Sequence, residues 1–290
     1  MNIVLITTRS TLEENLRIAE EAKILGHAFK LIDMKEFEYG ITNGKLYIKQ
    51  FENLYPDIII MRGVFNSIKS ITAYVESLRS KGVKVFDNNF LSHKYSINKI
   101  ADLIKLAQAG IPVPDSYHLH DFKKYSPTAN KLGYPMICKL TRTGKGAGVY
   151  KFDNKEDLTK FVVDLENREA EPESYLLQEF IPYKYDLRIL IIGSDIFCMR
   201  RFPKKGDFRA NFSLGGSVEL FDLDEKGNTL AINAMQAVGI EVAGVDLLIT
   251  EDNKRYILEV NHTPGMIGME KATSKNIAKV YLEYAIKNAR

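Results

Sequence analysis

Asp246, Glu259 and Asn261 are the residues whose types and spacing first point to chemistry. They sit in Ala243-Gly-Val-Asp246 and Glu259-Val-Asn261, on either side of Asp252-Asn253. Both flanks read as apolar strands, and Asp252-Asn253 is a turn signal. A two-residue turn there sets Glu251 opposite Lys254 and Asp246 opposite Glu259. Side chains repeat every two residues along a strand, so Asn261 shares the face of Glu259. Carboxylates directly opposite each other repel, and a bound cation relieves that repulsion. An oxygen-only ligand set suits Mg²⁺, which is usually held by one or two carboxylates together with the phosphates of a nucleotide.

Lys139 stands in the apolar strand Met136-Ile-Cys-Lys-Leu140, where an inward lysine needs an anion. Thr141-Arg-Thr-Gly-Lys-Gly-Ala-Gly-Val149 follows directly. Gly144, Gly146 and Gly148 let the backbone bend and bring N–H groups to phosphate oxygens. The loop is neither a P-loop, because GxxxxGK[ST] is absent, nor a dinucleotide fingerprint, because it leads into a strand. A plain hairpin turn is the bland alternative, and Lys139 beside it favours a nucleotide. Gln178-Glu-Phe-Ile181 ends another apolar strand. Such an edge either offers backbone groups to an adenine or simply stops. Asp186 and Arg188 share a strand face, to pair with each other or to meet a nucleotide hydroxyl and a transferring phosphoryl group. Arg209 and Asn211 lie on one side of a segment ahead of Gly215-Gly216. His262 reads as a turn residue and Cys138 as packed core.

These residues need a scaffold. Strands over 3–7, 28–32, 57–61 and 83–86 alternate with helices over 11–25 and 68–79, which predicts a mainly parallel sheet covered on both faces. Ligands bind outside the carboxyl ends of such strands. Arg9 and Arg62 stand there, either as anion contacts or as solvated surface residues. Ser92 is a candidate cap for a helix running to 109, where Gly110, Pro112 and Pro114 stop it. Hairpins dominate the remainder, with a helix over 226–238 and a closing helix over 271–287. The expected division is an N-terminal α/β unit over 1–95, a central unit with the Gly-rich loop over 96–183 and a C-terminal unit with the metal hairpin over 184–290.

The chain of 290 residues carries a net charge of +3, too small to imply nucleic-acid binding. It has no apolar run near the length of a membrane span, so no membrane association is expected. The start, Met1-Asn-Ile-Val-Leu-Ile, reads as a buried strand without the basic region of a signal peptide. Cys138 and Cys198 form no disulfide framework. A reducing, cytoplasmic location fits this composition.

Taken in order, these motifs resemble the ATP-grasp superfamily, and most closely its RimK-type ligases. The resemblance spans nearly the whole chain. It runs from the N-terminal strand–helix region through Lys99 in Asn98-Lys-Ile, Lys139, Gln178-Glu-Phe-Ile181, Asp186-Leu-Arg188 and Gly206-Asp-Phe-Arg-Ala-Asn211 to Ala243-Gly-Val-Asp246 and Glu259-Val-Asn-His-Thr-Pro-Gly265. It implies an α/β fold of ATP-grasp type behind a Rossmann-like parallel-sheet domain. It also implies an ADP-forming ligase that joins an amino acid, glutamate by preference, to a carboxylate on a protein, peptide or small molecule. Lys99 and Lys139 would hold ATP phosphates, with Gly144 and Gly146 closing over them. Glu179, Phe180 and Ile181 would hold adenine, Asp186 a further part of the nucleotide, and Arg209 and Asn211 the region of the phosphates. Asp246, Glu259 and Asn261 would bind two Mg²⁺ ions, or Mn²⁺ in their place. Arg188 and Arg209 would stabilise charge on the transferring group and the tetrahedral intermediate. Related ligases self-associate, so a homo-oligomer is expected. One departure is Leu214, which stands where these ligases commonly carry a basic residue before the two glycines.

Two other readings share the scaffold. One is a ligase that builds a dipeptide or a peptide natural product. The other is a regulatory ATP-binding protein without catalysis, against which the intact Asp246, Glu259 and Asn261 set argues. A protein kinase is disfavoured because no HRD or DFG segment accompanies the Gly-rich loop.

Overall fold

The structure is a computed structural model. It describes residues 1–290 except 54, 65–67, 89–97, 143–147, 205–206 and 211–214, and the side chains of 68–72 and 74. The first sheet is parallel, in the order β2-β1-β5-β6. Its strands are β1 (Asn2–Thr7), β2 (Ala28–Asp33), β5 (Ile58–Met61) and β6 (Lys84–Asp87). The central β1 and β5 are buried almost throughout, as continuous apolar runs should be in a sheet covered on both faces. Helices α1 (Glu13–Ile24) and α2 (Ile68–Ser80) connect them, and β3 (Tyr39–Thr42) with β4 (Lys45–Ile48) forms a small hairpin. Parallel pairing agrees with the strand–helix alternation of the sequence.

A second sheet is antiparallel, in the order β7-β10-β8-β9. It comprises β7 (Ser116–His118), β8 (Met136–Leu140), β9 (Val149–Phe152) and β10 (Tyr175–Glu179). Helices α4 (Tyr125–Leu132) and α5 (Lys155–Asn167) cover one face, packing on Met136, Cys138, Tyr175 and Leu177. By strand alternation, Ile137, Lys139 and Gln178 therefore point from the other face.

The third sheet, also antiparallel, runs β13-β12-β11-β14-β15. Its strands are β11 (Tyr185–Ile192), β12 (Asp195–Phe202), β13 (Ser217–Leu220), β14 (Val242–Ile249) and β15 (Arg255–Asn261). On one face Leu187, Ile189 and Ile191 pack under α3 (Lys99–Gln108) and α6 (Glu225–Val238). The opposite face is divided. Leu190, Ile192, Phe197 and Met199 join Ile3, Leu5 and Phe86 of the first sheet in one core, bridged by α8 (Ile277–Asn288). Asp186, Arg188 and Arg201, further along the same face, line a cavity.

Three expectations need correction. α3 begins at Lys99, capped by Asn98, whose Oδ1 accepts from Ala101 N at 2.8 Å; Ser92 lies outside the described residues. A cap of this kind is worth about 1 kcal/mol. The closing helix is two helices, α7 (Ile267–Thr273) and α8. Ser274 in the left-handed region ends the first, and Asn276 caps the second by accepting from Lys279 N.

The third correction concerns the metal hairpin. The turn has three residues, with Asn253 at φ 60° and Thr250 N bonded to Lys254 O, so Thr250 and not Glu251 faces Lys254. The resulting one-residue offset pairs Leu247 with Ile257 and is undone by a bulge before Asp246, which faces Glu259 as expected. Among the described residues no helix is long and apolar enough to cross a membrane.

Candidate active site

Between the two antiparallel sheets lies a cavity with about 930 Å³ of free space, some of it open to solvent. Ile137, Val149, Phe180, Ile181, Leu248 and Leu258 form its apolar part. Lys99, Lys139, Arg188, Arg201, Arg209, Asp186, Glu179, Asp246, Glu259 and Asn261 supply its charged and polar part. Leu258 and Glu259 line it although they are consecutive, because the bulge turns both toward one side.

Lys139 is buried, and its Nζ donates to Gln178 Oε1 at 2.9 Å. Gln178 is held in turn, its Nε2 donating to Ser116 Oγ at 2.8 Å. Within the chain the hydrogen-bond partner of Lys139 is thus an amide, while the Glu259 and Asp246 carboxylates favour its charge. Burial pushes the Lys139 ammonium down to about 8, with Glu259 and Asp246 pulling it up and Lys99 pushing it further down. Lys99, the first residue of α3, reaches Glu259, with Nζ 3.7 Å from Oε1. Its backbone N donates to Thr141 O at the foot of the Gly-rich segment.

Asp186 and Arg188 do not pair with each other. Asp186 accepts from Arg201 Nε at 3.0 Å, and Arg188 Nε lies 2.9 Å from Asp246 Oδ1. Arg201 Nη2 also lies 3.2 Å from Asp246 Oδ1. The four charges alternate in a buried network. Burial disfavours the charge on Arg201, yet Asp246 and Asp186 outweigh it and hold the guanidinium above its ordinary value. Burial lowers Arg188 against the pull of the Asp246 carboxylate, and raises Asp186 against the pull of the Arg201 and Arg188 guanidiniums.

Arg201 was not among the residues singled out from the sequence. The Gly193-Ser194 turn carried the signal, since a two-residue turn between Ile192 and Asp195 sets Arg201 opposite Asp186. Arg209 lines the cavity with its guanidinium held by Asp207, at 3.0 Å from Nε to Oδ1 and 2.8 Å from Nη2 to Oδ2. Arg209 holds Asp207 at about 2 in return. Gly144, Gly146, Asn211 and Leu214 lie outside the described residues.

The donor set fits a hard cation. Asp246 Oδ1 is buried and, although within ion-pair distance of Arg188 and Arg201, accepts no well-aligned hydrogen bond among the described residues. Glu259 faces it across the ladder. Asn261 Oδ1 accepts from Thr263 N at 2.9 Å and keeps its second lone pair.

Of the two first-sheet arginines, Arg9 fits the solvated-surface alternative and Arg62 fits neither. Arg62 is buried, donating to Asn15 Oδ1 at 3.1 Å and to Pro264 O at 2.6 Å. Arg9 is exposed. His262, read as a turn residue, is buried against Asp102.

Residues 96–285 match the model of the RimK-like ATP-grasp domain. A probable alpha-L-glutamate ligase of Vibrio vulnificus is 28% identical, covering 100% of this chain and 97% of its own length. One of the same description from Coxiella burnetii is 29% identical with the same coverage. Among solved structures, the ATP-grasp ligase PsnB with a minimal precursor aligns with a TM-score of 0.71 at 18% identity, over 98% of each chain. PsnB with minimal precursor, Mg and ADP aligns at 0.68 and 17%, over 98% of this chain and 97% of PsnB. A ligase fold and a family model spanning both antiparallel sheets thus agree with the site, and the chain belongs to the RimK-like ATP-grasp family of ligases.

Proposed function

We propose that this ligase joins the amine of an amino acid to a substrate carboxylate through an acyl phosphate. The observation that carries the reading is the cavity itself. Lys99, Lys139, Arg188 and Arg201 converge there on Asp246, Glu259 and Asn261, next to an apolar slot. Adenine fits the slot at the Glu179, Phe180 and Ile181 strand end. Lys99 and Lys139 hold the phosphates, helped by Gly144 and Gly146. Asp246, Glu259 and Asn261 are the ligands available to magnesium, which when bound supplies charge neutralisation at the phosphates. A carboxylate oxygen attacks the γ-phosphorus, the bond to the β-phosphate bridge breaks, and ADP leaves. The amine then attacks the acyl carbon, the acyl–phosphate bond breaks, and inorganic phosphate and a proton depart. Arg188 and Arg209 face the charge that develops on the transferring group, and positioning of this kind is most of what phosphoryl transfer requires.

Glutamate is the favoured amino acid, because the relatives similar over the whole chain are described as alpha-L-glutamate ligases. A peptide is the favoured acceptor, since PsnB of the same fold is found with a precursor peptide. The test is to supply ATP, magnesium, single amino acids and carboxylate-bearing peptides and to measure nucleotide products and product mass. Amino-acid-dependent release of ADP and phosphate with a mass gain of one amino acid supports the reading. Stoichiometric AMP and pyrophosphate would reject the acyl phosphate, and nucleotide binding without any turnover would leave the regulatory protein.

A further inference from the structure

Asp102 and His262 form a buried pair that the chemistry above does not use. His262 Nε2 lies 2.7 Å from Asp102 Oδ2, with the two side chains 5% and 8% exposed. A carboxylate only accepts, so the imidazole N–H donates. Asp102 is in the first turn of α3, and His262 directly follows the last residue of β15. The same two segments meet a second time where Lys99 Nζ approaches Glu259. Lys99 and Asp102 are three apart on a helix and so share a face. Glu259 and His262 are three apart on the other segment. The helix therefore grips the end of β15 at two points, one in the cavity and one behind it.

We propose that the Asp102–His262 pair is a strut that positions the Lys99 ammonium for the phosphates of the nucleotide. The proposal rests on the reading of Lys99 as a phosphate contact. The two ends of the strut are each anchored elsewhere. The start of α3 is fixed by the Asn98 cap and by the Lys99 N to Thr141 O bond, at 3.1 Å. The backbone at His262 is fixed because its carbonyl accepts from Asn88 Nδ2 at 3.0 Å. Asn88 also accepts from Glu241 N and Val242 N, each at 2.8 Å, at the start of β14. The strut joins these two anchored parts across the back of the site.

Stability alone does not account for the pair. Asp102 Oδ1 is buried and accepts no hydrogen bond among the described residues, and a buried acceptor left so costs free energy. Apolar Leu103 and Leu106 sit next to it on the same helix, 5% and 0% exposed. Replacing both partners of a buried polar pair by apolar residues of similar shape is often nearly neutral or stabilising, whereas fixing register is the best-attested use of buried polar groups. Register is what Lys99 needs. Lys99 is the first residue of α3, so a displacement of α3 carries its ammonium away from a phosphate oxygen, and reaching back costs the freedom of a flexible stem, while an adenine slot built by β8, β10 and β14 stays intact.

The test is calorimetric, on the full chain with Mg²⁺, using ADP and adenosine as probes of the same slot with and without phosphates. Lys99→Ala should weaken ADP about tenfold or more, as loss of a charged hydrogen bond does, and leave adenosine unchanged. His262→Ala should weaken ADP by a similar factor, spare adenosine, and add little in the Lys99→Ala background. His262→Gln, whose amide N–H can still donate to Asp102, should recover most of the loss. If His262→Ala does not fold, Asp102→Asn serves in its place, with a smaller loss confined to ADP. The strut is overturned if His262→Ala leaves ADP affinity unchanged, weakens adenosine equally, or acts additively with Lys99→Ala. If Lys99→Ala itself leaves ADP affinity unchanged, the phosphate reading of Lys99 fails, and the strut as a device for Lys99 falls with it.

Discussion

The Arg188 guanidinium crosses Gly244 so closely that a Cβ on that glycine would lie 2.4 Å from Nη1. Nη1 donates to the Gly244 carbonyl at 3.3 Å, and Nε reaches Asp246 two residues further along the same strand. The Pro264 ring closes the other side, its Cβ 2.9 Å from the same point. Gly244→Ala is therefore expected to push Arg188 off Asp246. Forcing a methyl into such a contact costs about 1–3 kcal/mol, so the melting temperature should fall modestly and turnover should fall at least tenfold. A variant with both wild-type stability and wild-type turnover would show that this approach has no functional weight.

Asp246 and Glu259 face each other but are not equivalent, and their neutral variants should differ. Asp246 is buried between Arg188 and Arg201, whereas Glu259 is partly exposed and meets Lys99 at 3.7 Å. Breaking a buried pair by removing one partner costs about 3–5 kcal/mol. Asp246→Asn should thus lose both stability and magnesium-dependent turnover. Glu259→Gln should lose turnover while its melting curve stays close to wild type, which makes it the cleaner probe of the metal. The assignment is rejected if Glu259→Gln keeps a near-normal ligase rate with unchanged magnesium dependence.

The parallel sheet was legible because buried strands and amphipathic helices leave distinct periods, whereas the facing of Asp246 and Glu259 was reached from a two-residue turn that the structure does not have. Asn253 in the left-handed region makes a three-residue loop, and the bulge before Asp246 restores the pairing. Two irregularities of opposite effect cannot be read from hydrophobic alternation. The Asp186–Arg201 pair was within reach of the same turn arithmetic, applied to Gly193-Ser194. The Asp102–His262 pair was not, because it joins residues 160 positions apart through packing that no local pattern encodes. The break at Ser274 was hidden because apolar residues keep a helical spacing on both sides of it.

Arg201 is expected to need its planar fork. Nε and Nη2 both meet Asp186 Oδ1, and Nη2 also lies 3.2 Å from Asp246. A lysine carries the charge but cannot span both carboxylates from one fixed plane. Arg201→Lys should therefore lower stability by about 2 kcal/mol or more, within the range for groups in a buried charged network. It should also weaken Mn²⁺ binding, read by electron paramagnetic resonance in the presence of ADP. Wild-type stability and Mn²⁺ affinity in Arg201→Lys would mean that Asp246 does not depend on the fork.

Lys139 predicts a pH dependence whose sign follows from burial. Its ammonium falls from 10.5 to about 8 in the folded chain, chiefly because burial disfavours the charge. Below about pH 8 both folded and unfolded chains carry the proton, and the folded chain bears the full cost of burying it, on the order of 3 kcal/mol. Between about 8 and 10.5 the unfolded chain binds more protons than the folded one, so stability rises with pH. Lys139→Met removes the group and should cancel this trend. The stability of wild type minus that of Lys139→Met should be most negative below pH 8 and climb toward zero by pH 10.5. Denaturant unfolding at matched pH values measures it, and subtraction removes the titration of other groups. Saturating ADP should flatten the climb, because phosphate oxygens beside the ammonium keep it protonated through the window. A difference that stays level or falls between pH 8 and 10.5 without nucleotide would mean that burial does not control this lysine.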